Sequence, residues 1–301
     1  MEIIAENSTH KQPQQRVSAH SIMQQPFAYY GGKQKMLKHI LPLIPPHRIY
    51  NEPFFGGGSV FWAKAPAYYE FINDINGEVI NFYRVLKTDF PALKRELDGT
   101  LHSQLLHREA RAIYAAPEAH TPVRRAWAFW VLSMESLFHI VGNAWAFRKR
   151  GRGRSPQEIT RGKARLTDAY AARLEMTNIF SCDAVDVVRK TDSPNAFHYV
   201  DPPYFNSDKG HYADYSEADF IRLLDQLAEV KGRFLLSSYP SEILSRYTAR
   251  NGWHTITVTQ NVGAGHVVGK LKTEVLTMNY DPAELAPTAN PAPKQLNLTP
   301  Q

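Results

Sequence analysis

Asp201-Pro202-Pro203-Tyr204 follows directly on the apolar run Ala196-Phe197-His198-Tyr199-Val200. Pro202 and Pro203 fix φ and carry no N–H donor, and the residues ahead of them are pushed into extended geometry. Carbonyl groups in such a turn can face a site without being claimed by a sheet ladder. Asp201 adds a carboxylate and Tyr204 a flat ring. Together they can hold a planar group bearing an –NH₂, with two acceptors for its two N–H bonds and a π-face for stacking. A second set lies upstream. Phe54-Phe55-Gly56-Gly57-Gly58-Ser59 joins a strand-like run to a helix-like one, and glycines there let a ligand approach the backbone. A glycine triplet alone is equally a tight turn. Asp74, at the end of the next strand-like run, is placed to accept hydrogen bonds from a ribose diol, as in dinucleotide folds.

These residues need a scaffold that gathers them, and the chain pattern supplies one. Strand-like runs are predicted over residues 48–53, 68–74, 178–183, 196–200 and 233–239, and a terminal antiparallel pair over 254–262 and 273–280. A helix is predicted over 77–87, with Val79, Phe82, Tyr83 and Leu86 on one face. Ser216, with Asp219 three residues on, caps a helix with Phe220, Leu223, Leu224 and Leu227 at core spacing. Alternating β and α predicts a mostly parallel sheet with helices on both faces. Ligands in such folds sit at the carboxyl ends of the strands, where the glycine loop, Asp74, Asp183 and Asp201 all fall. Residues 90–177 break the alternation. Thr121 and Pro122 open a helix whose stripe is Trp127, Trp130, Val131, Met134 and Phe138, read as helix core. The expected organisation is a disordered polar tail over 1–25, an α/β catalytic domain over 26–89 and 178–281, an inserted helical lobe over 90–177 and a loose Pro-rich tail over 282–301.

Composition narrows the function classes. The 301 residues are 43% hydrophobic and 21% charged, ordinary for a soluble protein able to bury a sizeable core. No apolar run approaches the ~20 residues that span a bilayer, and residues 1–25 lack a signal-peptide core, so a cytoplasmic protein of a prokaryote or phage, with no membrane partner, is expected. Cys182 is the single cysteine, which excludes an internal disulfide and a cysteine zinc site. The twelve histidines form no H-E-x-x-H pair, and no metal is expected. The net charge is +6. Its distribution is more telling: Arg148, Lys149, Arg150, Arg152, Arg154, Arg161, Lys163 and Arg165 face a single acid, Glu158. Such a cluster attracts phosphates, although a solvated loop has the same composition. The glycines Gly151 and Gly153, with Trp145 and Phe147 nearby, favour a DNA-facing hairpin or loop.

Four motifs stand in one order: Tyr29-Tyr30-Gly31-Gly32-Lys33, then Glu52-Pro53-Phe54-Phe55-Gly56-Gly57-Gly58-Ser59-Val60, then Asn73-Asp74-Ile75-Asn76, then Asp201-Pro202-Pro203-Tyr204. In that order, over about residues 26 to 280, the chain resembles the Dam-like (D12 class, alpha-group) DNA adenine-N6 methyltransferases. The resemblance implies a Rossmann-like class I methyltransferase fold, with a target-recognition domain in the helical insertion. It implies S-adenosylmethionine as cofactor; the glycine loop is not G-x-G-x-x-G and there is no P-loop, so NAD and ATP fit less well. Asp201, Pro202, Pro203 and Tyr204 become the catalytic loop, with Asp201 making at most a secondary contact to the cofactor. Tyr204, assisted by Phe205, is the candidate for stacking on a flipped adenine. Glu52, Pro53, Phe54, Gly56, Gly57 and Gly58 lie beside the methionine moiety, Asp74 binds the ribose and Asp183 lies near the cofactor adenine. Tyr29, where the family often has Trp, and Lys33 help close the cofactor pocket. Ser237-Ser238-Tyr239-Pro240 is expected to wall the target-base pocket.

DNA contacts are expected from Arg148, Lys149, Arg150, Arg152 and Arg154, and from Lys270 and Lys272, which are otherwise exposed hairpin charges. The implied activity is site-specific methylation of adenine N6 in double-stranded DNA. A monomer or weak dimer is expected, with any restriction endonuclease a separate protein. Methylation of RNA adenine or of a protein amide is a second reading. A DNA-binding protein with a dead site is a third, disfavoured by the intact Asp201, Pro202 and Tyr204.

Overall fold

The computed structural model describes residues 23–148, 154–206, 215–261 and 271–285. Seven strands form one sheet: β1 (Ile49–Glu52), β2 (Tyr69–Asn73), β3 (Thr177–Phe180), β4 (Ala196–Val200), β5 (Arg233–Ser238), β6 (His254–Asn261) and β7 (Leu271–Met278). Their order is β3-β2-β1-β4-β5-β7-β6. The first five are parallel, while β7 runs antiparallel to both β5 and β6. Every predicted strand is present, and the mixed α/β sheet fits the expected Rossmann-like fold. All five residues of β4 are buried, as a central parallel strand covered on both faces requires.

Two topological facts position the site. Strand order reverses between β1 and β4, and the crevice of an open α/β sheet lies at such a switch point, outside the carboxyl ends. The loops after β1 and β4 are the glycine loop and Asp201-Pro202-Pro203-Tyr204. Because β7 runs the other way, its first residues, not its last, arrive at that same end. Ser237 pairs with Leu276 and Ser238 with Val275, so Lys272 and Glu274 stand beside the crevice.

The insertion is helical, with helices Phe90–Asp98, Gln104–Ala115, Pro122–Glu135, Pro156–Arg165 and Asp168–Arg173. It shares a core with the sheet layer. In the helix Pro122–Glu135 every residue from Ala126 to Glu135 is buried. Phe129 and Phe82, from the helix Gly77–Thr88, both meet Phe27 edge to face, at ring distances of 5.0 and 4.9 Å.

Three expectations are corrected. Phe138 does not continue the helical stripe: the helix ends at Glu135, Phe138 has φ of 60° and the residue is 60% exposed. The physical reason is a tertiary contact, a bridge between Ser136 and Trp145, together with Glu135 accepting the Trp145 indole N–H at 3.0 Å. The basic segment is not all loop, because Pro156–Arg165 is a helix opened by a capping box of Ser155 and Glu158. Order also begins before residue 26. Met23 donates its N–H to Trp62 O at 3.1 Å and Ser59 Oγ donates to Gln25 Oε1 at 2.5 Å. At the other end Pro282–Glu284 forms a short 3₁₀ turn, while residues 1–22 and 286–301 of the expected tails lie outside the described residues.

Candidate active site

A cavity of about 1220 Å³ opens at the carboxyl ends of the strands, lined by Tyr29, Lys33, Glu52, the glycine loop, Asp74, Asp183 and Asp201 to Tyr204, among others. Each motif reaches it from a different element. The glycine loop leaves β1 in a conformation that side chains oppose. Gly56 has φ of 45° and a Cβ there would come within 2.9 Å of the Tyr29 ring; at Gly58, φ 65°, it would come within 2.5 Å of Phe55. Asp74 fastens this loop from the end of β2: Oδ2 accepts from Gly56 N at 2.8 Å and Oδ1 from Asn76 N at 2.9 Å. Burial outweighs those two bonds and pushes its carboxyl up to about 6. Each oxygen keeps acceptor capacity.

Glu52 is 2% exposed. Oε2 accepts from the Tyr50 hydroxyl at 2.6 Å and from Phe61 N at 3.2 Å. Desolvation dominates and pushes the carboxyl up to about 8. Pro53 O accepts from Asn73 Nδ2 at 2.9 Å, and Phe54 lines the cavity edge-on to Tyr215 at 6.1 Å. Asp183 lines the cavity too, but its carboxylate is engaged. Oδ1 caps the helix Ala184–Thr191 through Val185 N at 2.9 Å, and Oδ2 pairs with Arg222 at 2.6 Å, which holds the group below its ordinary range. Arg222 was not foreseen.

The end of β4 carries the densest polar set. Lys33 is 4% exposed, and its ammonium meets Asp201 Oδ1 at 2.7 Å and Gly31 O at 3.0 Å. Lys33, expected at the wall of the cofactor pocket, lines the cavity and also pairs with Asp201. Burial raises the Asp201 carboxyl, with Lys33 opposing. The Tyr204 hydroxyl lies 2.9 Å from Ser237 Oγ, 3.3 Å from Asp201 Oδ1 and 3.3 Å from Glu274 Oε2. Its ring packs edge-on to Tyr239 at 4.5 Å, with the Lys33 ammonium 5.0 Å from its centroid. Phe205 does not join it: the ring stacks on Phe220 at 5.1 Å and turns into the core.

Lys272 was expected at the DNA. Its ammonium pairs with Glu274 at 2.7 Å and lies 5.2 Å from the Tyr239 ring, within the cavity wall. Glu274, 5% exposed, was missed. The signal was available: Lys272, Glu274, Leu276 and Met278 share one face of β7 by alternation, and Leu276 and Met278 are fully buried. A charged pair on an inward face marks a site. Arg148 and Arg154 both approach Glu158, at 3.1 and 3.9 Å. Lys149, Arg150, Arg152 and Lys270 lie outside the described residues. The loop following Pro122–Glu135 also reaches the cavity, through His139, Ile140 and Val141. Among the described residues no helix is long and apolar enough to cross a membrane.

The chain is 27% identical over 269 residues to the type II methyltransferase M1.LlaDCHI of Lactococcus lactis subsp. cremoris, covering 83% of this chain and 93% of that one. It is 25% identical over 264 residues to the modification methylase StsI of Streptococcus sanguinis, covering 78% of this chain but 38% of that longer protein. A 67-residue stretch is 37% identical to the DNA N-6-adenine-methyltransferase of Escherichia phage P1, covering 22% of this chain and 9% of that one. The family model of the D12 class N6 adenine-specific DNA methyltransferases matches residues 29–248, a span that runs from Tyr29 through the glycine loop and Asp201 into the helix after β5, and the chain belongs to that family.

Proposed function

We propose that the chain transfers a methyl group from S-adenosylmethionine to the N6 amine of an adenine flipped out of duplex DNA, at a specific sequence. The observation that carries this reading is the convergence of Asp201, the glycine loop and Asp74 on one cavity. At about 1220 Å³ it exceeds the roughly 1,000 Å³ upper end of single small-molecule pockets, and so has room for a methyl donor and a purine together.

The donor set suits S-adenosylmethionine. Asp74 offers one free acceptor site on each oxygen to a ribose diol, the glycine loop lines the cavity between them, and Glu52 offers a carboxyl to an ammonium. The bound donor supplies a methyl carbon made electrophilic by its sulfonium. The remaining work falls to this chain. An adenine amine is a poor nucleophile because its lone pair conjugates with the ring. Accepting its two N–H bonds at Asp201 and at the Pro202 carbonyl favours pyramidal nitrogen and frees the lone pair. The Asp201 carboxylate then stabilises the positive charge developing on N6, and fixed positioning supplies much of the rate. The Tyr204 ring, its hydroxyl anchored, offers the stacking face. Extracting the base from the duplex costs a few kcal/mol.

The helical insertion, domain 90–177, is read as the target-recognition part, with Arg148 and Arg154 at its basic edge. A monomer or weak dimer is sufficient, because every proposed group comes from one chain. Any restriction endonuclease that works with it is a separate chain. The test is modified-base sequencing of DNA from cells expressing the chain, with methyl transfer to RNA and protein measured alongside. N6-methyladenine in one sequence context is expected. Transfer to RNA or protein alone would sink the reading.

A further inference from the structure

One oxygen of Asp201 is already engaged. Its Oδ1 accepts from Lys33 at 2.7 Å and lies 3.3 Å from the Tyr204 hydroxyl. A second carboxylate stands within reach of the same donors. Glu274 Oε2 is 3.3 Å from the Tyr204 hydroxyl and 3.4 Å from Ser237 Oγ, and its Oε1 pairs with Lys272 at 2.7 Å. Although burial opposes it, Lys33 and then Lys272 hold the Glu274 carboxyl below its ordinary range. Lys33 therefore already acts on both acids. A tyrosine hydroxyl has one proton, so Tyr204 serves at most one of Asp201 and Glu274, and the two are equally distant.

We propose that Glu274 is a positioning residue, which takes over Lys33 and Tyr204 when the target amine arrives and so releases Asp201 Oδ1 to accept from N6. This rests on the methyl-transfer reading above. The set Lys33, Lys272, Asp201 and Glu274 carries two positive and two negative charges. Within it, donors can change partners without uncovering a charge. Without Glu274, moving Lys33 off Asp201 would leave a buried ammonium without a counter-charge, which is costly. Ser237 is placed to guide the exchange, since its hydroxyl touches Tyr204 at 2.9 Å as well as Glu274. Glu52 and Tyr199 also face Asp201, and both remain in place throughout. No covalent bond forms or breaks at Glu274.

The experiment is Glu274→Gln in the full chain, with two readouts. Single-turnover methyl transfer should slow about 10- to 100-fold, while donor affinity stays within about twofold of wild type. Independently of turnover, the Asp201 side-chain ¹³Cγ resonance, assigned through Asp201→Asn, is titrated in both proteins. Removing a neighbouring negative charge and settling Lys33 and Tyr204 on Asp201 should lower its midpoint by about one unit; a residue that merely packed would leave it unmoved. An unmoved or raised midpoint overturns the proposal, as does an unchanged transfer rate. If the Gln variant does not fold, Glu274→Asp replaces it. That variant keeps the charge but withdraws it from Tyr204, so slower transfer with a wild-type Asp201 midpoint is expected, and a wild-type rate overturns the proposal. An inactive wild-type chain would instead strike the methyl-transfer reading, and the titration would still decide the role of Glu274.

Discussion

The two ends of the parallel sheet treat buried acids in opposite ways. At the amino ends, Glu70 on β2 lies between Lys64, at 2.5 Å, and Arg173. Burial would raise it, but the two cations prevail and hold it below its ordinary range. Asp192, just before β4, accepts from Lys231 N at 2.8 Å, Gly232 N at 3.0 Å and the His198 ring at 3.2 Å. Against its burial, these donors bring it down to about 2. At the carboxyl ends burial wins for three acids: Asp201 is raised, Asp74 is pushed up to about 6 and Glu52 to about 8, whereas Asp183 and Glu274, each held by cations there, stay below their ordinary range. The residue types are the same and the number of donors differs. Acids at the lower end each accept from three or more donors and hold the fold. The three raised acids at the upper end keep acceptor capacity in a dry cleft, which is the condition of groups awaiting a ligand.

The sharpest way to break this contrast is to remove one acid from each end. Asp201→Ala should lower methyl transfer by at least about 10²–10³-fold. Its melting temperature should fall less than that of a Glu70 variant, because Glu274 remains beside Lys33 whereas Glu70 is the acid of both Lys64 and Arg173. Glu70→Ala should do the reverse. It leaves Lys64 and Arg173 buried without their acid, costing about 3–5 kcal/mol of stability, while the protein that remains folded keeps its transfer rate. Parallel melts and tritiated-methyl assays measure both. Equal losses of activity and stability in the two variants would mean that the ends are not functionally distinct.

A smaller effect separates the ends by pH. The depressed Asp192 contributes stability that is present above its ordinary value of 3.8 and is lost as pH falls toward about 2. Glu52 has the opposite sign. Between 4.5 and about 8 the folded chain holds a proton that the unfolded chain has released, so this group makes stability decline as pH rises. Glu52→Gln keeps an acceptor for Tyr50 and Phe61 and removes the titration. The melting temperature of the variant, relative to wild type, should therefore climb with pH across that window. Parallel melting curves would show that Glu52 ionises normally.

What the chain pattern made legible follows from range. Asp74 and Asp201 could be read because a strand and its terminal residue are neighbours in sequence. All seven strands could be read for the same reason. The pairing of Lys33 with Asp201 could not be read, because the two lie 168 residues apart. Phe138 fits the helical spacing, and only the pairing of Ser136 with Trp145 takes it off the helix. The Ser155–Glu158 capping box stood in the sequence as S-x-x-E and was passed over because its neighbours are so basic. Glu274 needed one further step, asking which end of the sheet an antiparallel strand delivers its first residues to.

Charge pairing also ranks the cations of the insertion, where the smallest effect is expected. Arg148 and Arg154 share Glu158, and the surplus of this trio is one positive charge, not two. Lys163 is tied to the fold as well, donating to Thr100 O at 2.7 Å. Two free arginines on phosphates would each steepen the dependence of log K on log salt by about 0.9. Replacing Arg148 and Arg154 by Ala should therefore flatten the slope by about 0.9 rather than about 1.8, because Glu158 already offsets one of them. Glu158→Gln retains the helix cap and should strengthen DNA binding and steepen the slope by a similar amount, since it frees the second arginine. Anisotropy titrations of a fluorescent duplex across salt concentrations read both variants. A full 1.8 loss in the double variant would show that DNA strips Glu158 from its partners, and no loss would place the phosphates on another face.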